Sequence, residues 1–177
     1  MLLIDQVRSA IRDVEGYPKP GIVFKDITPI LANPVLMRKI VEHLVTSYRG
    51  EKIDVVAGIE ARGFLLGSLL AYELNCSFVP VRKAGKLPFT RRKQQYSLEY
   101  GMAEIEIHAD AIKAGNRVLV HDDLLATGGT ACAAGQLIKS FGGELAGFSF
   151  LINLSFLEGA QNIRNQFGVV PDFLIKY

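Results

Sequence analysis

Little in this chain points to nucleic acid, membrane or metal. Its formal charge is only +2 over 177 residues, too small to make nucleic acid or an anionic membrane surface its main partner. It has two cysteines, Cys76 and Cys132, far apart and without a Cys-x-x-Cys. They read as buried reduced thiols in apolar helical surroundings, not as a disulfide or metal pair, and imply a reducing compartment. No window approaches the roughly 20 apolar residues that a membrane-spanning helix needs. Asp5, Arg8, Arg12 and Asp13 interrupt the apolar start Leu2-Leu3-Ile4 too soon for a signal peptide. The expectation is a soluble, cytoplasmic protein without a membrane partner. Repeats, low-complexity tracts and long linkers are absent. So are the Gly-Lys-Ser/Thr ending of a P-loop and the Gly-x-Gly-x-x-Gly dinucleotide fingerprint.

What is present is an alternation of apolar runs. Almost half of the residues are apolar, enough for one domain, 1–177, to bury a substantial core. Leu3, Val7, Ile11 and Val14 recur at helical spacing and predict an amphipathic first helix. Pro18 and Pro20 fix an extended loop over 16–21. A second helix follows Pro34, with Leu36, Ile40, Leu44 and Tyr48 on one face. The run Ile53-Asp-Val-Val-Ala-Gly58 reads as a buried parallel strand, followed by a helix over about 63–75 and a strand over 78–82. Lys83 to Gln95 is basic and polar without apolar period, and predicts a mobile loop. Ala103, Ile105 and Ile107 alternate with Glu104, Glu106 and His108 as in a half-buried strand of an edge or hairpin. Helix 127–140, strand 144–153, helix 156–166 and strand 169–175 then continue the alternation. The fold class predicted is α/β, a doubly wound and mainly parallel sheet.

Chemistry concentrates in Arg117-Val-Leu-Val-His-Asp-Asp-Leu-Leu-Ala-Thr-Gly-Gly-Thr130. An apolar strand ends in two carboxylates and a small-residue turn that opens a helix, whose first N–H groups are unpaired and whose dipole favours an anion. Gly128 and Gly129 let the backbone approach a phosphate, Thr127 and Thr130 add hydroxyl donors, and Asp122 and Asp123 offer acceptors to sugar hydroxyls. Adjacent carboxylates repel and desolvate badly, so a fold seldom needs them for structure alone. Gly58-Ile-Glu-Ala-Arg-Gly-Phe64 repeats the strand-turn-helix logic, and Arg62 carries a planar fork suited to a diphosphate. Taken alone, Arg62 reads as an exposed helix-start arginine and the cations of Arg82-Lys-Ala-Gly-Lys-Leu-Pro88 as a solvated basic face. Glu99 alone reads as a surface carboxylate.

These segments resemble, in order, those of the type I phosphoribosyltransferases. The spelling Asp-Asp-Leu-Leu-Ala-Thr-Gly-Gly-Thr is more specifically similar to the adenine phosphoribosyltransferases. The resemblance implies a type I phosphoribosyltransferase fold with an N-terminal helix and base-binding hood over 1–34 and a mobile lid over 83–98. It implies the conversion of adenine and phosphoribosyl pyrophosphate to AMP and pyrophosphate in purine salvage. Mg²⁺ would be held mainly through the pyrophosphate, with no metal ligand assigned to the protein. It implies that Asp122, Asp123, Ala126, Thr127, Gly128, Gly129 and Thr130 cradle the ribose phosphate. Glu60, Ala61 and Arg62 would form the pyrophosphate loop, with a cis bond between Glu60 and Ala61. Arg82, Lys83 and Lys86 would neutralise the diphosphate, some reaching the neighbouring subunit of a homodimer. Tyr96-Ser-Leu-Glu-Tyr-Gly101 matches the segment that carries the proton-transferring carboxylate, so Glu99 joins Arg62 as a catalytic candidate and Tyr100 is carried over as substrate-binding. Pro20-Gly-Ile-Val-Phe-Lys-Asp26 resembles the hood, where the backbone of Val23 and Lys25 reads the base edge and Phe24 stacks on the ring. Glu104 and Glu106 lie in ordinary alternation and are left outside the site.

Three features depart from the family pattern. His121 stands where an aliphatic residue is usual, and reads as a buried neutral histidine or as a group tuning the carboxylates. Asn153 replaces a common glutamate, and Arg91-Arg92-Lys93 gives the lid unusual positive charge. Two rivals are hypoxanthine or guanine transfer and a non-catalytic regulator that binds phosphoribosyl pyrophosphate. The first usually has an aspartate where this chain has Ala126. The second carries a preceding DNA-binding segment, for which this chain is expected to leave no room.

Overall fold

A computed structural model of the chain describes residues 1–98 and 101–177, in two units, Met1–His43 and Leu44–Tyr177. Among the described residues, no helix is long and apolar enough to cross a membrane.

The first unit holds α1 (Leu3–Ala10), the antiparallel pair β1 (Arg12–Glu15) and β2 (Val23–Asp26), the short α2 (Thr28–Leu31) and the start of α3 (Pro34–Thr46). The helical spacing that begins at Leu3 stops being helical before Val14, which faces Phe24 across the ribbon. Strand pairing overrides the local period there. Asp26 accepts the N–H and hydroxyl of Thr28 at the start of α2. Asn33 accepts the Leu36 N–H, and Pro34 supplies the preset φ of a first helical position. Val7, Ile27, Ile30 and Ile40 are buried.

The second unit is built on a seven-stranded sheet of order β5-β6-β4-β3-β7-β8-β9. Its strands are β3 (Val55–Ile59), β4 (Ser77–Lys83), β5 (Arg91–Leu98), β6 (Gly101–His108), β7 (Arg117–Leu125), β8 (Glu144–Asn153) and β9 (Asp172–Lys176). The five strands from β4 to β9 run parallel, and the β5–β6 hairpin adds antiparallel to β4. All five residues of β3 are buried, as expected of a central parallel strand covered on both faces. Helices α4 (Gly63–Glu73), α5 (Gly129–Ser140) and α6 (Gly159–Phe167) complete the alternation. The main core gathers Val55, Ala57, Val118, Val120, Phe148 and Phe150 with the α5 residues Ala134, Leu137 and Ile138.

The sheet grows from β3 to β4 in one direction and from β7 through β9 in the other, so its direction reverses between the neighbours β3 and β7. A crevice beyond the carboxyl ends of the strands opens at such a switch.

The segment Lys83–Gln95, expected as loop, is strand from Arg91 onward. Its cations explain why apolar periodicity is missing. Arg91 Nε lies 2.9 Å from Glu106, Lys93 donates to Glu104 at 2.7 Å, and Arg92 donates to the Ser140 carbonyl at 2.7 Å with its guanidinium over the Phe141 ring. Polar anchors replace an apolar face. Glu106 itself, which alternation put outside, is fully buried.

Candidate active site

Three chain turns meet at the switch. After β3, the turn through Glu60, Ala61 and Arg62 opens α4, and the Glu60–Ala61 bond is cis. After β7, residues Ala126 to Gly128 open α5. After β4 comes the basic loop 84–90. A Cβ on Gly63 would stand 2.9 Å from both an Asp122 carboxylate oxygen and the His121 carbonyl. The first turn of α4 therefore rests directly on the carboxylate pair.

Two recesses of about 90 Å³ each lie there. One is lined by Asp122 and the turn from Ala126 to Ala131. The other is lined by Glu60, Lys83, Tyr96, Asp122 and Thr130. Asp122 and Thr130 belong to both, so the carboxylate and the start of α5 adjoin. A larger recess, about 710 Å³, is lined by Asp54, Tyr72 and Cys76 at the amino ends of β3 and β4 and carries none of these loops. Volume alone does not locate the chemistry.

The turn of β7 into α5 is shaped by close backbone approach and one side-chain bond. Gly128 has φ +83°, in the left-handed region that favours glycine, and a Cβ there would sit 3.0 Å from the Gly159 carbonyl. Gly159, the first residue of α6, is tighter still: its Cβ would fall 2.2 Å from the Ala126 carbonyl. Asn162, one turn on, donates to the Thr127 carbonyl at 2.9 Å. The amino end of α6 thus clamps the carbonyls of this turn, leaving the N–H groups of α5 to face outward. Sequence reading missed both residues. Their contacts span more than thirty positions, and a glycine opening a helix gives no local sign of what it touches. Thr130 donates to the Tyr96 hydroxyl at 3.2 Å, setting β5 beside this helix start.

Charges are unevenly distributed. Arg62 Nε lies 3.0 Å from Asp123 Oδ2. Burial, then repulsion from the Asp123 carboxylate, holds Asp122 well above the usual carboxylate range. Burial also raises Asp123, against the pull of Arg62. Behind them His121 is fully buried, and burial pushes it down to about 3, so it is neutral. Its ring lies under α4, close to Gly67. Glu60 accepts from Arg82 Nε and from the Lys83 N–H, both at 3.1 Å. Burial opposes its charge, but these donors outweigh it and keep Glu60 below its ordinary value. Arg82 also donates to the Lys86 carbonyl at 3.0 Å, so this arginine spans from the Glu60 turn to the basic loop.

In the first unit, Gly16 N–H donates to the Ile22 carbonyl at the end of the β1–β2 ribbon. Alternation of hydrogen-bonded pairs from there turns the backbone groups of Val23 and Lys25 away from β1 and those of Phe24 toward it. Phe24 meets the Tyr17 ring edge-on at 5.1 Å, and Lys25 pairs with Asp13 at 2.7 Å. The structure thus gathers Glu60, Ala61, Arg62, Lys83, Asp122, Asp123 and Ala126 to Thr130 around one crevice. Glu99 and Tyr100 lie outside the described residues.

A carboxylate pair between two helix-opening turns at a sheet switch point sets hydroxyl acceptors beside helix starts that favour an anion. The phosphoribosyl transferase domain family matches residues 26–166. Adenine phosphoribosyltransferase of Myxococcus xanthus is 52% identical over 164 residues, covering 93% of this chain and 89% of its own. The chain belongs to the adenine phosphoribosyltransferase family. Crystal structures from this family have the same fold. That of Rhodothermus marinus adenine phosphoribosyltransferase superposes with a TM-score of 0.94 at 46% identity, covering 99% of this chain and 98% of that one. The Saccharomyces cerevisiae enzyme gives 0.87 at 40% identity over 97% of each chain, and was solved with D-2,5-dideoxy-2,5-imino-altritol 1,6-bisphosphate and adenine.

Proposed function

We propose that the chain transfers the phosphoribosyl group of 5-phospho-α-D-ribose 1-diphosphate to adenine, giving AMP and pyrophosphate, a purine salvage reaction. The observation that carries this reading is Asp122, shared by the two recesses at the switch point and set between the α4 and α5 helix starts. The turn from Ala126 to Thr130 takes the 5-phosphate on backbone N–H groups, and Asp122 and Asp123 accept the ribose hydroxyls. Arg62, Lys83 and Lys86, with Arg82 and the Glu60–Ala61 turn behind them, face the diphosphate and neutralise it as the glycosidic bond breaks. Glu99 is the general acid/base toward an imidazole-ring nitrogen of adenine, a role worth about 10²–10⁴-fold. The main-chain groups of Val23 and Lys25 read the base edge, Phe24 stacks on the ring, and Tyr100 completes the contacts. Residues 83–98 act as a lid that excludes water.

Mg²⁺ fits this site through the crowded carboxylates of Asp122 and Asp123, whose repulsion a nearby cation relieves. When bound, mainly through the diphosphate, it supplies charge neutralisation of the leaving group. The working form is a cytoplasmic homodimer. Leu65, Leu69 and Tyr72, the last 81% exposed, form an apolar stripe on the outer face of α4 that suits a second copy.

The test is a spectrophotometric assay with donor and Mg²⁺ against adenine, hypoxanthine and guanine, repeated for Glu99→Ala. Consumption confined to adenine, with turnover lowered by at least about tenfold in the variant, is the expected outcome. Consumption of hypoxanthine or guanine would move the reading to that salvage class. Binding of donor without consumption of any base would make the chain a regulator.

A further inference from the structure

Glu106 has no part in the reaction as described, yet among the described residues it is the most completely enclosed carboxylate of the second unit, with no solvent exposure. It lies on β6, beneath the basic loop that follows β4. One carboxylate oxygen accepts the N–H of Lys86 at 2.9 Å and that of Leu87 at 2.8 Å. The other lies 2.9 Å from Arg91 Nε. Arg91 in turn donates to the carbonyl of Leu87 at 3.4 Å. The carbonyl of Lys86 is taken by Arg82. The backbone of Lys86 is therefore held on both sides, its N–H by Glu106 and its C=O by Arg82, and only its side chain is left to vary. That side chain is near enough to Glu60 to help keep it ionised, and Lys83, three residues earlier, lines the recess shared with Asp122.

A buried anion at this place does more than a hydrogen-bonding neutral group. Charge-assisted bonds from two successive N–H groups are short and directional, and they fix the turn that carries the ammonium groups. A lysine donates as a flexible point charge, with about 2 kcal/mol of rotamer entropy to lose on binding. Fixing its backbone beforehand reduces what diphosphate must order.

We propose that Glu106 is a positioning residue for diphosphate. Held in place by Arg91, it clamps the turn at Lys86 and Leu87 so that the Lys83 and Lys86 ammonium groups stand preset over the recess. This deepens the phosphoribosyl-transfer reading and rests on it for the identity of the anion.

The experiment measures binding of inorganic pyrophosphate by calorimetry, together with KM for the ribosyl donor and for adenine. Glu106→Gln keeps size but presents an amide N–H₂ where the carboxylate accepted. The expected result is pyrophosphate binding and donor KM both weakened by about tenfold or more, the worth of one charge-assisted contact, with adenine KM changed less than about twofold. Lys86→Ala should give a similar loss, and the double variant should lose less than the sum of the two, because Glu106 acts in part through Lys86. A lower melting temperature with unchanged pyrophosphate binding would overturn the proposal and leave Glu106 a packing residue. So would losses that simply add. Should Glu106→Gln not fold, Arg91→Gln, which keeps both amide bonds, should weaken pyrophosphate by about two- to threefold, and no change there would also overturn it. Pyrophosphate binding judges the clamp even if adenine is not consumed, so the two readings fail separately.

Discussion

The two loops that face the crevice are braced in opposite ways. The turn after β7 offers backbone N–H groups, and it is held by close contact: Gly159 without a side chain, Asn162 on the Thr127 carbonyl, and neutral His121 buried behind the carboxylates. The loop after β4 offers the Lys86 ammonium beside that of Lys83 at the strand end, and it is held by charge, through buried Glu106. Both buried ionisable groups have lowered pKa values, with opposite results. Lowering keeps His121 neutral. Burial opposes the charge on Glu106, but the amides of Leu87, Gly85 and Lys86 and then Arg91 outweigh it and keep it ionised. A loop that binds through its main chain tolerates no displacement of that chain, whereas a loop that binds through long side chains needs only its root fixed.

Breaking the contact-held loop should have the largest effect. In Gly159→Ala the new methyl meets the Ala126 carbonyl, so the turn must move. A shift on the order of 1 Å costs about 10²-fold in activity, and donor KM and kcat should both suffer in steady-state kinetics. Wild-type kinetics in that variant would show that the turn yields cheaply.

The second effect is in stability. Folded His121 stays neutral down to about 3, against an ordinary value of 6.5 in the unfolded chain. Below pH 6.5 the unfolded state gains a proton that the folded state refuses, so stability is full above 6.5 and falls as pH falls toward 3. His121→Val removes this loss. Its gain over wild type should be greater at pH 5 than at pH 8 by about 2 kcal/mol, read from urea unfolding at both values. An equal difference at the two pH values would mean that His121 protonates in place. Glu106 runs the other way. Its contribution is present above its ordinary value of 4.5 and disappears as pH falls through its lower folded value.

The smallest effect sharpens the contrast. Asn162→Ala removes one hydrogen bond from the Thr127 carbonyl, worth about 1 kcal/mol. Donor KM should rise about fivefold, with adenine KM unchanged. A rise in adenine KM instead would show that Asn162 braces more than the turn after β7.

The parallel half of the sheet was legible because burial on both faces makes β3 continuously apolar, and the turn after β7 because its glycines and carboxylates stand in sequence. What was not legible depended on partners distant in the chain. Val14 continued a helical spacing, but its pairing with Phe24 makes it strand. Arg91 to Lys93 looked like loop, since the contacts that make them strand are with Glu106, Ser140 and Glu104. Glu106 was set aside because alternation describes one covered face, and the turn at Lys86 and Leu87 covers the other.

The crowding of Asp122 against Asp123 has a consequence beyond the shape of the crevice. A buried acid whose affinity for hydrogen ion is raised in the empty protein gives it up when new donors and positive charge arrive. Where the crevice takes hydroxyl donors and a cation against this pair, occupancy and release of hydrogen ion to the medium are one linked equilibrium.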